Sequence, residues 1–137
     1  MGTGMTFEDR VVLVTGAAQG IGYASARAFA EAGGIVVILD KLAAEAEAAV
    51  GAIVDSGGRA TAIVVDATDG RQVQEGVTRI IADHGHIDVL VNNIGWNKPT
   101  PFLESDEAFW QQLLDINLMT ALRFCRAVLP HMIDQHF

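Results

Sequence analysis

Cysteine, tyrosine and lysine are scarce in this sequence. Its 137 residues include one Cys (Cys125), one Tyr (Tyr23) and two Lys (Lys41 and Lys98). A single cysteine excludes an internal disulfide and a cysteine-rich zinc site. Basic residues are few and scattered singly, nine Lys plus Arg against seventeen Asp plus Glu, and the net charge is −8. This acidic balance argues against nucleic acid or an anionic membrane as a binding partner.

Long hydrophobic runs are also absent. The longest apolar runs, such as 35–39, have the length of a strand, whereas a membrane-spanning helix needs about 20 apolar residues. The N-terminus has no basic start followed by an apolar run, so it does not resemble a secretory signal. Met1-Gly2 with Thr6 fits the short myristoylation pattern, but such a pattern also arises by chance, and we favour a plain leader. These features predict a cytoplasmic protein that does not bind membranes.

Strand-like and helix-like segments alternate along the chain. Short apolar runs, most of them rich in β-branched residues, predict strands at 11–15, 35–39, 60–65 and 87–91. Helices are predicted at 21–32, 42–55, from Asp69 to about His84, and from Ser105 or Asp106 through Leu129. The first helix has one face formed by Ile21, Ala24, Ala28 and Ala32. Because continuous apolar strands alternate with helices, we predict a doubly wound parallel α/β sheet covered on both faces.

A glycine-rich loop connects the first predicted strand to the first helix. It contains Gly16, Gly20 and Gly22, and we include Gln19 and Ile21 among its candidate cofactor contacts. Glycine permits a sharp turn, small residues let the backbone approach a diphosphate, and free N–H groups at a helix start hold negative charge. The spacing differs from the common Rossmann fingerprint and from a Walker loop, which disfavours kinase-like phosphate transfer. The alternative is a tight turn without a ligand.

Asp40 ends the second predicted strand, 18 residues after the last glycine of the loop. A dinucleotide site places an acid at about this distance, where it accepts hydrogen bonds from the ribose hydroxyls and repels a 2′-phosphate. We therefore predict NAD rather than NADP, although the adjacent Lys41 weakens the exclusion. The alternative role for Asp40 is a helix N-cap, which could hold at the same time.

Polar residues also follow the third and fourth predicted strands. Asp66, followed by Ala67, could bond an adenine amino group, although a turn acid is a serious alternative. Asn92-Asn93 and Gly95 could line the groove, although by themselves they indicate only a turn. Ligands in open α/β sheets bind outside the carboxyl ends of the strands, where all these residues are expected to meet.

These motifs together resemble the short-chain dehydrogenase/reductase family. The matching residues are Thr15-Gly16-x-x-x-Gly20-x-Gly22, Asp40, Asp66, Asn92-Asn93-x-Gly95 and Asn117. The match runs in family order from about Phe7 to the end, and Ile94 stands where the family usually has Ala. The resemblance implies a Rossmann-type sheet of strand order 3-2-1-4 and NAD(P)-dependent oxidation of an alcohol or reduction of a ketone.

The resemblance also assigns roles to individual residues. It implies that Asp66 contacts adenine, that Asn93 and Gly95 line the adenosine side, and that Asn117 is a catalytic residue. In the family, the residue at the Asn117 position belongs to an Asn-Ser-Tyr-Lys tetrad and holds a helix kink and a water. The loop from Gly95 onward resembles reductases that act on oxoacyl or alicyclic hydroxyacyl thioesters.

The catalytic Ser and Tyr-x-x-x-Lys of the family have no counterparts here. Tyr23 is followed four positions later by Arg27, so Tyr23 is predicted to be a packing or loop residue. Structural roles are also predicted for the serines, histidines and cysteine, namely Ser25, Ser56, Ser105, the loop residues His84 and His86, the helix-end residues His131 and His136, and the core residue Cys125. No metal site is predicted.

The missing Ser and Tyr-x-x-x-Lys limit the function that the sequence predicts. We expect residues 1–137 to form an incomplete NAD-binding domain, the N-terminal part of a longer enzyme whose C-terminal strands are missing. Its open sheet edge and uncovered last helix favour a homo-oligomer. The expected function is an NAD-dependent oxidoreductase acting on a small alcohol or ketone. The alternative is a non-catalytic nucleotide-binding or assembly module.

Overall fold

Four parallel strands form one sheet in the order β3-β2-β1-β4. The structure, a computed structural model, describes residues 4–136, so Met1 and Gly2 of the myristoylation pattern lie outside the described residues. The strands are β1 (Val11–Thr15), β2 (Ile35–Asp40), β3 (Arg59–Val64) and β4 (Val89–Val91). The predicted α/β class and the strand order are therefore confirmed.

Within residues 4–136, five α-helices accompany the sheet. They are α1 (Gly20–Glu31), α2 (Ala43–Asp55), α3 (Gly70–His84), α4 (Glu107–Leu114) and α5 (Thr120–Asp134). A 3₁₀ turn (Phe102–Glu104) lies in the loop after β4, and a π-helical segment (Asp115–Met119) joins α4 to α5. None of the helices in the described part of the chain has the length and apolarity needed to cross a bilayer.

The side chains of β1 alternate between two hydrophobic cores. Val11 and Leu13 pack with residues of α3 and with Phe124 of α5. Val12 and Val14 pack on the opposite face with residues of α1 and α2. Alternate residues of a strand point to opposite faces, so a strand covered on both sides must be apolar throughout.

Coverage on both faces, which we predicted for every strand, holds fully only for β1 and β2. All five residues of β1 are buried, whereas three of the six residues of β3 are exposed and β4 is half-buried. Both outer strands lack a neighbour on one side within residues 4–136. Position in the sheet, which is a tertiary property, decides this difference.

The predicted face of α1 points to solvent. Ile21 is 79% exposed and Ala24 and Ala28 are exposed. The buried face instead contains Gly22, Ala26 and Ala30. Alanines lie on both faces of α1, so the apolar periodicity did not reveal which face packs on the sheet.

The long C-terminal helix is interrupted where we predicted it to be continuous. Asp106, one of the two predicted caps, accepts the N–H of Phe109 at 2.9 Å and starts α4. The helix then changes to π geometry, and the N–H of Thr120 bonds the carbonyl of Asp115, five residues earlier. Such π segments contain one extra residue and often occur at functional sites.

Asp88 organises the amino-terminal edge of the sheet. Its carboxylate accepts the N–H of Val11 at 2.8 Å and Nη1 of Arg10 at 2.9 Å. The ring of His86 lies 3.2 Å from the same carboxylate. His86 lies in a loop, as predicted, and its side chain is 41% exposed although it contacts Asp88.

Candidate functional site

A cleft of about 510 Å³ opens at the carboxyl ends of the strands. Most of the predicted cofactor contacts line it, namely Gly16, Gln19, Asp40, Asp66, Ala67, Asn93 and Gly95. The prediction missed other lining residues, among them Leu42, Thr68, Trp96, Gln112, Ile116 and Thr120. Three of these belong to the α4, π-helical and α5 region, whose approach to the cleft no local pattern indicates.

The glycines of the loop are required for different structural reasons. Gly16 and Gly20 have left-handed backbone angles, with φ of +62° and +63°, which only glycine adopts readily. A side chain added at Gly20 would meet no atom within 4 Å, whereas Gly22 is packed against the loop itself. The open space above Gly20 and its free helix N-terminus suit the diphosphate of a dinucleotide.

Asn93 holds the glycine loop against the end of β4. Its Nδ2 donates to the carbonyls of Thr15 and Gly16, each at 3.1 Å. Its N–H donates at 3.0 Å to Oγ1 of Thr15, and that hydroxyl lies 3.4 Å from the carbonyl of Val91. Asn93 thus lines the cleft and also joins β1 to β4 at the edge where the ligand would bind.

Asp40 lies at the end of β2 and is largely buried. One carboxylate oxygen accepts the N–H of Ala18 at 3.0 Å, and the other accepts the N–H of Leu42 at 3.1 Å. Leu42, not Asp40, occupies the N-cap position of α2. Asp40 therefore supports the glycine loop, and it lines the cleft, where its oxygens have further lone pairs that can accept hydrogen bonds.

Asp66 lines the cleft just after the end of β3. Its Oδ1 accepts both the hydroxyl of Thr68 at 2.7 Å and the N–H of Thr68 at 2.9 Å. The bond from the hydroxyl is the strongest of the causes that lower the pKa of Asp66 below its usual value. The bond from the N–H and the nearby charge of Lys41 also lower this pKa. Asp66 therefore has the turn role that we considered as an alternative. Its Oδ2 accepts no hydrogen bond from the described residues.

We expect Thr68→Val to raise the pKa of Asp66 towards its usual value, because the hydroxyl is the strongest cause of the lowering. A lowered folded-state pKa gives stability that is fully present above the unfolded pKa and lost as the pH falls through the folded pKa. Carboxyl NMR titration would show Asp66 protonating at lower pH in the wild type than in the variant. Thr68→Ser keeps the hydroxyl and should titrate like the wild type. Identical curves for valine and threonine would contradict this assignment.

Asn117 lies in the π-helical segment and clamps the loop after β4. Its Oδ1 accepts the N–H of Trp96 at 3.0 Å, and its Nδ2 donates to the carbonyl of Trp96 at 2.8 Å. The same Nδ2 donates to the carbonyl of Leu113 at 2.9 Å. The side chain therefore shapes the cleft from behind Trp96, and Asn117 does not itself line the cavity.

Three loop candidates also lie outside the cavity lining. Gly20 and Ile21 are exposed at the start of α1, and Gly22 is buried beneath the loop. Their contribution to a ligand would come from backbone groups and close packing, because the side chain of Ile21 points to solvent.

The serines and Tyr23 have structural surroundings, as predicted. The hydroxyls of Ser25, Ser56 and Ser105 each bond a carbonyl of their own helix or turn. Tyr23 packs against the core shared by α1 and α2. Cys125 is only half-buried, where a core position was predicted, and its Sγ lies 3.4 Å from Nδ2 of Asn92.

Comparison with known proteins agrees with this arrangement. The family described as short chain dehydrogenase matches residues 10–137. The chain is 42% identical over 131 residues to a cis-4-hydroxycyclohexanecarboxylate dehydrogenase of Sinomonas cyclohexanicum, covering 94% of this chain and 52% of the relative. It is 34% identical over 138 residues to a 3-oxoacyl-[acyl-carrier-protein] reductase of Thermotoga maritima, covering 96% and 53%.

A solved structure has the same fold. A metagenomic short-chain oxidoreductase in complex with NADP superposes with a TM-score of 0.88 at 33% identity, covering 93% of this chain and 58% of that one. A parallel sheet with a glycine loop after β1 and an acid after β2 defines a dinucleotide-binding α/β protein. The chain belongs to the short-chain dehydrogenase family. It spans about half the length of the curated relatives it matches.

Proposed function

We propose that this chain is the cofactor-binding part of an NAD-dependent oxidoreductase that transfers hydride between nicotinamide and a secondary alcohol or ketone. The observation that carries the proposal is Asp40, which lines the cleft beside the glycine loop at the end of β2. When bound, the cofactor supplies or accepts the hydride. This chain contributes the surface that binds and orients the cofactor.

The proposed contacts follow the length of the cleft. Asp66 bonds the adenine amino group through its Oδ2, Asp40 bonds the ribose hydroxyls, and the N–H groups at the start of α1 hold the diphosphate. Asn93 and Gly95 line the adenosine side. The nicotinamide end lies near Trp96, whose backbone Asn117 holds.

The preference for NAD rests on charge. A carboxylate at Asp40 attracts the ribose 2′-hydroxyl and repels a 2′-phosphate. Lys41 lines the same cleft and opposes this repulsion in part. One structural relative is a complex with NADP, so the experiment must measure both cofactors.

We expect Asp40→Asn to weaken NAD binding about tenfold, since hydrogen bonds to a charged acceptor are worth about 1.5–3 kcal/mol. NADP affinity should fall less, because the substitution also removes repulsion of the 2′-phosphate. Isothermal titration of both cofactors would measure the two changes. Glu47→Gln, which removes the same charge from an exposed site on α2, should change neither affinity. Unchanged NAD affinity in Asp40→Asn would refute the cofactor assignment.

The remaining parts of the proposal concern the whole protein. We propose that further strands continue the sheet beyond β4 and bring the catalytic Ser, Tyr and Lys, because the chain spans about half the length of its relatives. The substrate is a small alcohol or ketone, and the 3-oxoacyl reductase among the relatives supports an acyl thioester as one form of it. The acidic composition supports a cytoplasmic location without nucleic-acid or membrane partners.

Exposed apolar residues support the proposed homo-oligomer. Leu114, Leu118, Leu122 and Leu129 are each about half exposed along one continuous helical region, which is a surface that favours association. The alternative function, a non-catalytic nucleotide-binding or assembly module, is not favoured, because the named relatives are oxidoreductases. Hydride transfer by the purified protein would exclude the alternative.

A further inference from the structure

One arginine joins two segments that border the cleft. Nη2 of Arg123 donates to Oδ1 of Asp115 at 2.6 Å, and Nη1 donates to the carbonyl of Ala67 at 3.3 Å. Ala67 follows the adenine-side acid Asp66, whereas Asp115 begins the segment that contains Asn117. The side chains of Arg123 and Asp115 are only 23% and 33% exposed, so water screens this pair less than a pair at the open surface.

The spacing of this ion pair depends on the π-helical segment. Asp115 and Arg123 are eight residues apart, and in an uninterrupted α-helix such residues differ by about 80° around the axis. The extra residue of a π turn changes this phase to that of residues seven apart, which differ by about 20°. The pair therefore fits the π geometry, and a return to regular α-helix would rotate Asp115 away from Arg123.

The π geometry in turn positions the side-chain amide of Asn117. Asn117 holds both backbone polar groups of Trp96, and it also bonds the carbonyl of Leu113. Rotation of the segment would carry the Asn117 amide away from Trp96. Since Trp96 lines the cleft, the shape of that end depends on the pair formed by Arg123 and Asp115.

We propose that Arg123 is a positioning residue. Its bond to Asp115 keeps residues 115–119 in the π geometry, and its bond to Ala67 ties that segment to the adenine side of the cleft. Arg123 does not line the cavity, so it acts through Asn117 and Ala67 and makes no contact with the cofactor. This role rests on the proposed dinucleotide binding, although its structural consequences can be measured without any ligand.

The first experiment uses the cofactor-free chain with Trp110→Phe, which leaves Trp96 as the single fluorescent tryptophan. We expect Arg123→Met to increase amide hydrogen exchange in residues 115–119 at least tenfold and to shift the emission of Trp96. Arg123→Lys keeps the charge and should restore part of both signals. Unchanged exchange and emission in Arg123→Met would overturn the proposal.

A matched control is available one turn along the same helix. Arg126 is exposed and makes no ion pair with the described residues. Arg126→Met removes the same charge from α5 and should leave exchange and emission as in the wild type. An equal response of the two arginine variants would show a general effect of charge on the helix, and would contradict a specific role of Arg123.

The second experiment measures affinity for NAD and for ADP, which lacks the nicotinamide half of the cofactor. We expect Arg123→Met to weaken NAD binding about fivefold and ADP binding less. Asp115→Asn should also weaken NAD binding, and the double variant should be no weaker than Arg123→Met alone, because both changes break the contact between Arg123 and Asp115. Equal losses for ADP and NAD would mean that Arg123 acts through Ala67 alone, which overturns the joining role. If the wild type binds neither ligand, the proposed function fails, whereas exchange and emission still decide the positioning role.

Discussion

Replacement of Gly22 by alanine is expected to destabilise the chain by about 3 kcal/mol, at the upper end of the usual cost of overpacking. A Cβ at Gly22 would collide with the carbonyl oxygen of Gly16, and it would lie 2.9 Å from Cα of Ala17. It would also lie 2.5 Å from Nδ2 of Asn93, an atom that two hydrogen bonds hold in place. These atoms belong to the loop and its clamp, so none can move without opening the cleft.

Urea denaturation would measure this loss, and Gly51→Ala provides the matched control. Gly51 lies in α2, and a side chain added there would meet no atom within 4 Å. Alanine in an open helical position is expected to stabilise the protein by about 0.5–1 kcal/mol. A Gly22→Ala protein as stable as the wild type would disprove the close packing of α1 on the loop.

Alanine substitutions at Gly20 and Gly22 distinguish an effect on ligand binding from an effect on stability. Alanine at Gly20 has open space but must adopt the left-handed conformation, which costs about 1–2 kcal/mol. Its Cβ would enter the open space at the start of α1, whose N–H groups we propose to hold the diphosphate. The comparison of Gly20→Ala with Gly22→Ala therefore distinguishes obstruction of the ligand from obstruction of the fold.

Substitution of Asp88 by alanine is expected to cost about 3 kcal/mol, because it leaves the buried N–H of Val11 without its acceptor and removes a charge-assisted hydrogen bond from Arg10. Asp88 is buried, and its carboxylate bonds the N–H of Val11 and the guanidinium of Arg10. Asp88→Asn keeps one oxygen for Val11 and should lose about half as much. NAD affinity of the folded fraction should not change, because Asp88 lies at the opposite edge of the sheet from the cleft.

Thermal or urea denaturation, with NAD titration of the folded protein, would test both parts of this expectation. Asp83→Ala is the matched control, since Asp83 forms an exposed helical pair with Arg79 at 3.7 Å. Such pairs contribute about 0.3–0.5 kcal/mol. Similar losses for Asp83→Ala and Asp88→Ala would show that burial of Asp88 adds nothing to the strength of its contacts.

Features with a local cause were predictable from the sequence. The apolar runs of β1 and β2, the turn at Gly16 and the acids that end two strands all depend on residues close together in the chain. Even so, the face of α1 was mispredicted, because alanines lie on both faces of the helix and hydropathy does not show which face packs on the sheet. The close packing of Gly22 against the loop decides that question.

Features with a distant partner were not predictable. Asp88 lies 77 residues from Val11, Asn93 lies 78 residues from Thr15, and Arg123 lies 56 residues from Ala67. No periodicity connects such positions. The π-helical segment is a related case, since its extra residue depends on contacts of Asn117 and Arg123 with other parts of the chain.

The sequence by itself determined the α/β class, the family and the edge of the sheet where a ligand would bind. Strand patterns and loop glycines depend only on residues that are close together in the chain. The tertiary structure decided which of the candidate residues line the cleft and that Asp40 also supports the glycine loop. It also decided that Asn117 and Arg123 hydrogen-bond residues of the cleft without lining it themselves. Each of these depends on hydrogen bonds between segments that only the folded sheet brings together.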